Sequence, residues 1–294
     1  MQASLSGKTY GITGFTSGIG LASAEVLAAA GAHLIGVGRN PQRCQAAAQR
    51  INERYPGRVR WVQADLANQA EVRRAAAEMG QMLAEQQRPH LDGLVHVAGV
   101  FEYWMRLSSD GIETQWAVNH LAPFLLTHEL MPWLAANGGA RVVTVSSDSH
   151  YFGRMDWRDP QRVRCYNGLA AYGTTKLANV LFSAEFNRRV GAASGARAFA
   201  VDPGLVQTDI GFKHIPPLLQ WIWRVRRSGG TSAWVPARCI EYLLAAPEGE
   251  LPARVYWKDS RPKAESRRAQ NVGDAERLWH YSEQLCGIEN GAWK

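Results

Sequence analysis

Along the chain, short apolar runs alternate with longer stretches in which apolar residues recur every three or four positions. The runs 8–13, 33–37, 59–63, 91–99, 141–145 and 196–201 read as buried strands. Between the first two, Leu21, Ala24, Leu27 and Ala28 fall on one helix face, and the pattern stops at Gly31. Further helices are expected over 42–55, between the third and fourth strands, from Gly111 onward, and over 172–190, where Tyr172 opens the run. Pro123 should kink the helix that starts near Gly111, because a proline supplies no N–H to the helical ladder. Strands and helices in alternation predict an α/β protein with a doubly wound, mostly parallel sheet and helices on both faces. No repeat, low-complexity tract or linker interrupts the pattern, so 1–294 is expected to form a single domain.

Composition narrows the class. Of 294 residues, 46% are hydrophobic and 20% charged, the balance of a soluble globular protein able to bury a full core. A net charge of +7 raises the question of an anionic partner. The densest basic groups, Arg224, Arg226 and Arg227, then Arg261, Lys263, Arg267 and Arg268, form no single tract, so nucleic-acid binding is not expected. Cys44, Cys165, Cys239 and Cys286 show neither a CxxC pair nor metal-ligand spacing. No metal site is expected, and free thiols suit a cytoplasmic location. Residues 1–8 do not read as a signal peptide, and no apolar run reaches the roughly 18 residues that span a bilayer.

Candidate chemistry gathers at the ends of the strands. The first runs directly into Gly14-Phe15-Thr16-Ser17-Gly18-Ile19-Gly20 and then a helix. Strand, glycine turn and helix present free backbone N–H groups to a phosphate. Gly14, Ser17, Gly18, Ile19 and Gly20 are therefore candidate cofactor contacts. The second strand ends at Gly38-Arg39, without a carboxylate. An acidic residue there would bond the free ribose 2′-hydroxyl of NAD, whereas an arginine suits the 2′-phosphate of NADP. Arg39 thus favours NADP(H), although a surface arginine would look the same. Asp65-Leu66 closes the third strand, where Asp65 either caps the next helix or sits beside the adenine. Ala98 and Gly99 end the fourth and are small enough for a cofactor to lie against them.

Asn119 falls in an apolar stretch, where an amide must be hydrogen-bonded. It suits either a bend in its helix or a proton relay. The fifth strand delivers Ser146 and Ser147 at its C-terminal end, where open α/β sheets place their ligands. Tyr172 and Lys176 share a helix face one turn apart. A phenol with a pKa of about 10 exchanges protons poorly at neutral pH, and an ammonium beside it favours the phenolate. Taken alone, the pair is equally an ordinary surface tyrosine and lysine.

In this order, Thr13-Gly14-x-x-x-Gly18-x-Gly20, Asp65-Leu66, Asn119, Ser147, Tyr172-x-x-x-Lys176 and Pro203-Gly204 resemble the short-chain dehydrogenase/reductase family over residues 8–208. Ser147-x-x-His150, Lys176-Leu177-Ala178-Asn179-Val180-Leu181 and Leu278-Trp279-x-x-Ser282-Glu283-x-Leu285-x-Gly287 look like its retinol-dehydrogenase-like branch. The resemblance implies a Rossmann fold and an alcohol/carbonyl oxidoreductase using NADP(H), with NAD(H) the second choice. It gives Tyr172 the acid/base role and has Lys176 lower the tyrosine pKa and hold the nicotinamide ribose. Ser147 would bond the substrate oxygen, and Asn119 would hold a water linking Lys176 to solvent. Pro203, Gly204, Val206 and Thr208 would close over the nicotinamide end. Two departures stand out. His96-Val97-Ala98-Gly99 replaces the family's Asn-Asn-Ala-Gly, so the usual amide braces are missing, and Phe15-Thr16 occupies a turn where smaller or amide residues are usual.

Residues 209–230 lie where this family builds a substrate lid, and 255–294 form a C-terminal extension. The stretch 215–227 is apolar and then basic. It suits a cover over a bulky lipophilic substrate, a peripheral membrane contact, a helix packed on the domain, or a contact in a homo-oligomer. His150, Tyr151 and Trp221 are expected to line the pocket with Ser147. A rival reading makes the chain a non-catalytic dinucleotide-binding sensor or scaffold; the presence of Asn119, Ser147, Tyr172 and Lys176 together favours the enzyme.

Overall fold

The computed structural model of the chain describes residues 5–86, 89–206, 231–289 and 291–293. Eight strands, β1 (Thr9–Thr13), β2 (His33–Gly38), β3 (Val59–Gln63), β4 (Gly93–His96), β5 (Arg141–Val145), β6 (Arg197–Val201), β7 (Tyr256–Lys258) and β8 (Arg261–Pro262), form one sheet. Its order is β3-β2-β1-β4-β5-β6-β7-β8, parallel throughout except for the β7–β8 pair. Every residue of β1 and β5 is buried, as a parallel strand covered on both faces requires. The order reverses between β1 and β4, which opens a crevice at the carboxyl ends of the strands.

The helices are α1 (Gly18–Ala29), α2 (Pro41–Arg54), α3 (Gln69–Ala84), α4 (Thr114–Trp116), α5 (Ala122–Glu129), α6 (Met131–Ala135), α7 (Gly168–Phe186), α8 (Ala192–Ser194), α9 (Trp234–Ala245) and α10 (Val272–Cys286). Leu27, Ile51 and Leu243, from α1, α2 and α9, share one core, while Met79, Phe124, Phe182 and Trp279, from α3, α5, α7 and α10, share the other. Asparagine is the recurrent start signal. Asn40, Asn68, Asn167 and Asn271 each accept a backbone N–H from the first turn of α2, α3, α7 and α10.

The expected doubly wound sheet is present, and four details differ from the sequence reading. The sheet gains β7 and β8 from the C-terminal extension, too short at three and two residues to carry a periodic signal. The helix bearing Tyr172 begins at Gly168, because Asn167 caps it, so Tyr172 lies in its second turn. The fourth strand stops at His96; the next two N–H groups, of Val97 and Ala98, both turn to Thr13 Oγ1 at 3.2 Å. The expected kink takes the form of a π turn, Ala117–Leu121, between α4 and α5. Pro123 follows it in the first turn of α5, where its missing N–H is absorbed by the wider turn.

Candidate active site

The glycine turn is shaped by contact with the sheet. Gly14 has φ +71°, and a Cβ there would lie 2.9 Å from the Ala98 backbone; one on Gly20 would lie 2.1 Å from the Gly14 carbonyl oxygen. A side chain at either position would collide with the backbone that shapes the turn. Ser17 precedes α1 in an extended conformation and its side chain makes no capping bond, and no acidic residue occupies the first turn. α1 thus differs from the asparagine-capped helices: its free N–H groups and positive dipole end fit a phosphate. Ile19 anchors the turn in the core.

Phe15, out of place by the family pattern, is fully buried beneath this turn. It fits because Gly36 of β2 has no side chain: a Cβ there would lie 2.5 Å from the Phe15 ring. Arg39, exposed at the end of β2, stands 3.8 Å from the Asp65 carboxylate. Asp65 does not cap α3, a role taken by Asn68; its carboxylate accepts the Ala67 N–H at 3.1 Å. Leu66 packs against the core.

His96 occupies the place of the missing amide. Buried, it pairs through Nε2 with Thr127 Oγ1 at 2.9 Å, and burial pushes its pKa down to about 3, so the ring is neutral. Thr13 and His96 thereby replace the amide braces with a hydroxyl and a ring.

Asn119, in the π turn, clamps the chain just past Gly99. Its Oδ1 accepts the Val100 N–H at 2.7 Å, and its Nδ2 donates to the Val100 carbonyl at 2.9 Å and to Thr175 Oγ1 at 3.2 Å. A Cβ on Gly99 would meet Asn119 Oδ1 at 3.4 Å and Lys176 Nζ at 3.7 Å, so amide and ammonium flank the same space. The two serines after β5 part company. Ser146 is buried and donates to the Lys176 carbonyl at 2.8 Å, whereas Ser147 is half-buried with its hydroxyl held by the Ser149 N–H at 3.1 Å. Of the two, Ser147 is the less buried, and its hydroxyl donates to Ser149 Oγ at 3.2 Å.

Lys176 Nζ donates to the Val145 carbonyl at 2.9 Å and lies 5.4 Å from the Tyr172 ring centroid. Phe101 meets that ring edge-on, at 5.8 Å between centroids. Burial brings Lys176 down to about 8 and pushes the Tyr172 phenol up to about 12. The expected lowering of the phenol is therefore not what this arrangement produces, because loss of hydration outweighs the nearby ammonium.

After β6, Asp202 accepts the Gly204 N–H at 2.9 Å, which shapes the Pro203-Gly204 turn, and Val206 bridges to Thr231. Burial alone would raise the Asp202 carboxyl, but Lys263, 2.8 Å away, holds it below the usual range. Thr208, Trp221 and the stretch 215–227 lie outside the described residues. His150, expected as a pocket wall, is instead fully buried with both ring nitrogens bonded to backbone. Tyr151 is partly exposed, and its hydroxyl donates to the Ala264 carbonyl.

Sequence reasoning missed the group that fixes the insert between Ser147 and Tyr172. Tyr166 donates to Glu113 Oε1 at 2.9 Å, Glu113 Oε2 accepts the Trp116 N–H at 2.7 Å, and Gln115 Nε2 bonds the Tyr166 hydroxyl at 2.7 Å. The only signal for it was a buried helix start rich in polar residues. The glycine turn before α1 can hold a dinucleotide in the crevice, and a phenol and an ammonium stand together on α7 beside the end of β5.

A family model described as short chain dehydrogenase matches residues 8–215. The chain belongs to the short-chain dehydrogenase/reductase family. Retinol dehydrogenase 12 of Bos taurus is 35% identical over 285 residues, covering 97% of this chain and 88% of that protein. Dehydrogenase/reductase SDR family member 13 of Homo sapiens is 34% identical over 299 residues, covering 99% and 76%. These relatives place the chain on the retinol-dehydrogenase-like branch. Among solved structures, an uncharacterized protein from Mycobacterium paratuberculosis superposes with a TM-score of 0.76 at 34% identity, covering 98% of this chain and 96% of that one. L-Sorbose reductase from Gluconobacter frateurii, solved with NADPH and L-sorbose, shares the fold with a TM-score of 0.64 at 23% identity, covering 83% and 92%. As a short-chain dehydrogenase/reductase, the chain is an oxidoreductase that binds a nicotinamide dinucleotide, and the cradle of Gly14, Gly20 and the uncapped α1 fits that group.

Proposed function

We propose that this protein moves hydride between NADP(H) and a lipophilic carbonyl or alcohol, with Tyr172 as the acid/base. The observation that carries this reading is Lys176, which bonds the Val145 carbonyl at the end of β5, two residues before Ser147, and lies 5.4 Å from the Tyr172 ring centroid. When bound, the dinucleotide supplies or takes up the hydride. Tyr172 gives its phenolic proton to the carbonyl oxygen in reduction and recovers it in oxidation. Ser147 donates to the same oxygen as charge builds on it. Lys176, brought near neutrality by burial, exchanges protons readily and resupplies the phenol, and Asn119 holds the water that links it to solvent.

Arg39 supports NADP(H) over NAD(H). It is exposed, its pairing with Asp65 is long at 3.8 Å, and it is free to turn toward a 2′-phosphate. Exposed apolar side chains in the loops beyond β4, β5 and β6, among them Trp104, Phe152 and Leu205, support a lipophilic substrate, as does the kinship with retinol dehydrogenases. The apolar composition of 215–227 agrees with a lid over such a substrate. Among the described residues no helix is long and apolar enough to cross a membrane. Four unpaired cysteines suit a reducing cytoplasm.

The test is NADPH oxidation followed against long-chain and aromatic aldehydes and ketones beside short ones. Saturable turnover is expected with the lipophilic members and is lost in Tyr172→Phe. NADPH binding with no turnover across the panel would favour a sensor or scaffold instead.

A further inference from the structure

Ser147 reaches the site from a turn beyond its strand, so its placement depends on what holds that turn. It caps the 3-10 turn Asp148–Tyr151, beneath which the His150 ring is fully buried. That ring packs tilted against Tyr151 and Tyr256, at 4.1 and 4.5 Å between centroids. His150 Nε2 lies 3.1 Å from the Ser266 backbone N–H, which can only donate, so Nε2 carries no proton. The proton of the neutral imidazole therefore sits on Nδ1, which donates to the Ser147 carbonyl at 2.8 Å. Burial lowers the pKa of the ring, in keeping with the neutral form.

Both bonds end on backbone. One holds the residue that carries the reactive hydroxyl; the other reaches the C-terminal extension 116 residues further along the chain. The same extension grips the turn at further points, with Lys258 3.8 Å from the Asp148 carboxylate. Lys263 pairs with Asp148, and the Tyr151 hydroxyl donates to the Ala264 carbonyl.

We infer that His150 is a positioning residue: its Nδ1-protonated imidazole ties the Ser147 peptide to the extension at Ser266, and so sets the reach of the Ser147 hydroxyl. The inference rests on the reading above in taking Ser147 to bond the substrate oxygen. A hydrogen bond aimed at a developing charge acts only when its donor is held in place, and fractions of an ångström decide its contribution. A histidine buried for packing alone would matter equally in a protein lacking the Ser147 hydroxyl. One that acts through Ser147 would not.

Two substitutions and one change of background separate these cases. The shorter amide of His150→Asn places an N–H where Nδ1 was and keeps the bond to Ser147. His150→Gln places its amide near Nε2, toward Ser266, and loses that bond. The Gln variant should lose about 30-fold or more in kcat with little change in KM, while the Asn variant keeps most of the rate. In a Ser147→Ala background the Gln substitution should cost almost nothing further. An equal loss in both backgrounds would overturn the inference. Hydrogen exchange of the NADPH-bound protein gives a readout without turnover. Amides of residues 147–152 should stay protected in the parent and the Asn variant and exchange faster in the Gln variant. Unchanged protection in the Gln variant would equally overturn it. If the parent turned over no carbonyl, the functional reading would fall, and the exchange rates would still decide whether His150 holds the turn.

Discussion

The Lys176 ammonium donates to the Val145 carbonyl while lying 5.4 Å from the centroid of the Tyr172 ring. One bond therefore fixes α7 against the end of β5, two residues before Ser147, and keeps phenol and ammonium together. Each group is driven toward its neutral form by burial, the phenol up to about 12 and the lysine down to about 8. Proton exchange then starts from a neutral phenol, the form an acid needs to reduce a carbonyl.

Tyr172→Phe keeps the ring and its edge contact with Phe101 and removes the proton. Turnover should fall by about 100-fold or more, while NADPH binding changes little. Fluorescence titration beside steady-state kinetics checks both halves. A variant as fast as the parent would remove Tyr172 from the chemistry.

Lys176 is a charge held at a stability cost. Its folded pKa of about 8 lies below the ordinary 10.5, so the unfolded chain binds more protons between those values. Stability should therefore rise as pH climbs through that window, and the burial cost is present in full below it. Over that shift the cost is about 3 kcal/mol, and losing the bond to Val145 offsets about 1 of it. Lys176→Met should thus stabilise the cofactor-free protein at pH 7 while abolishing turnover. Urea unfolding at neutral and at alkaline pH reads the effect: the advantage should shrink as pH rises, and a variant less stable than its parent at pH 7 would contradict the argument.

Arg39→Ala should weaken NADPH by about tenfold and leave NADH nearly unchanged, since only the 2′-phosphate offers Arg39 a charge-assisted partner. Competitive binding of the two cofactors decides it. Equal affinity in the parent would refute the preference for NADP(H).

The sequence made legible what depends on short-range pattern. The first six strands, the glycine turn and the Tyr172–Lys176 spacing all follow from periodicities of a few residues. The start of α7 is equally local, because Asn167 before Gly168 is a capping signal, whereas the Tyr172–Lys176 spacing marks only the second and third turns. The long-range features were not readable. His150 looked like a pocket wall because it is an aromatic ring in a loop; its partner Ser266 is too distant in sequence to be inferred. β7 and β8 carry Lys258 and Lys263 to the loops after β5 and β6, and their pairing is set by tertiary contact rather than pattern.

Phe15 and Gly36 give the sharpest case of such a hidden pairing, and it can be tested. The Phe15 ring fills space that exists only because Gly36 lacks a side chain, and a methyl there would come within 2.5 to 2.8 Å of three ring carbons. The ring is fully buried beneath the phosphate cradle, so it has no solvent into which to retreat. Gly36→Ala should therefore cost about 1–3 kcal/mol by overpacking. It should also loosen NADPH, because a displaced Phe15 moves the turn that carries Gly14 and Gly18. Phe15→Leu alone leaves a gap and destabilises in the opposite sense. Combined, the two changes relieve each other, so the double variant should be more stable than the sum of the singles requires. Urea unfolding of the four proteins, with NADPH titration alongside, measures the coupling. Strict additivity would mean that Gly36 does not make room for Phe15, and that the cradle tolerates its aromatic residue for some other reason.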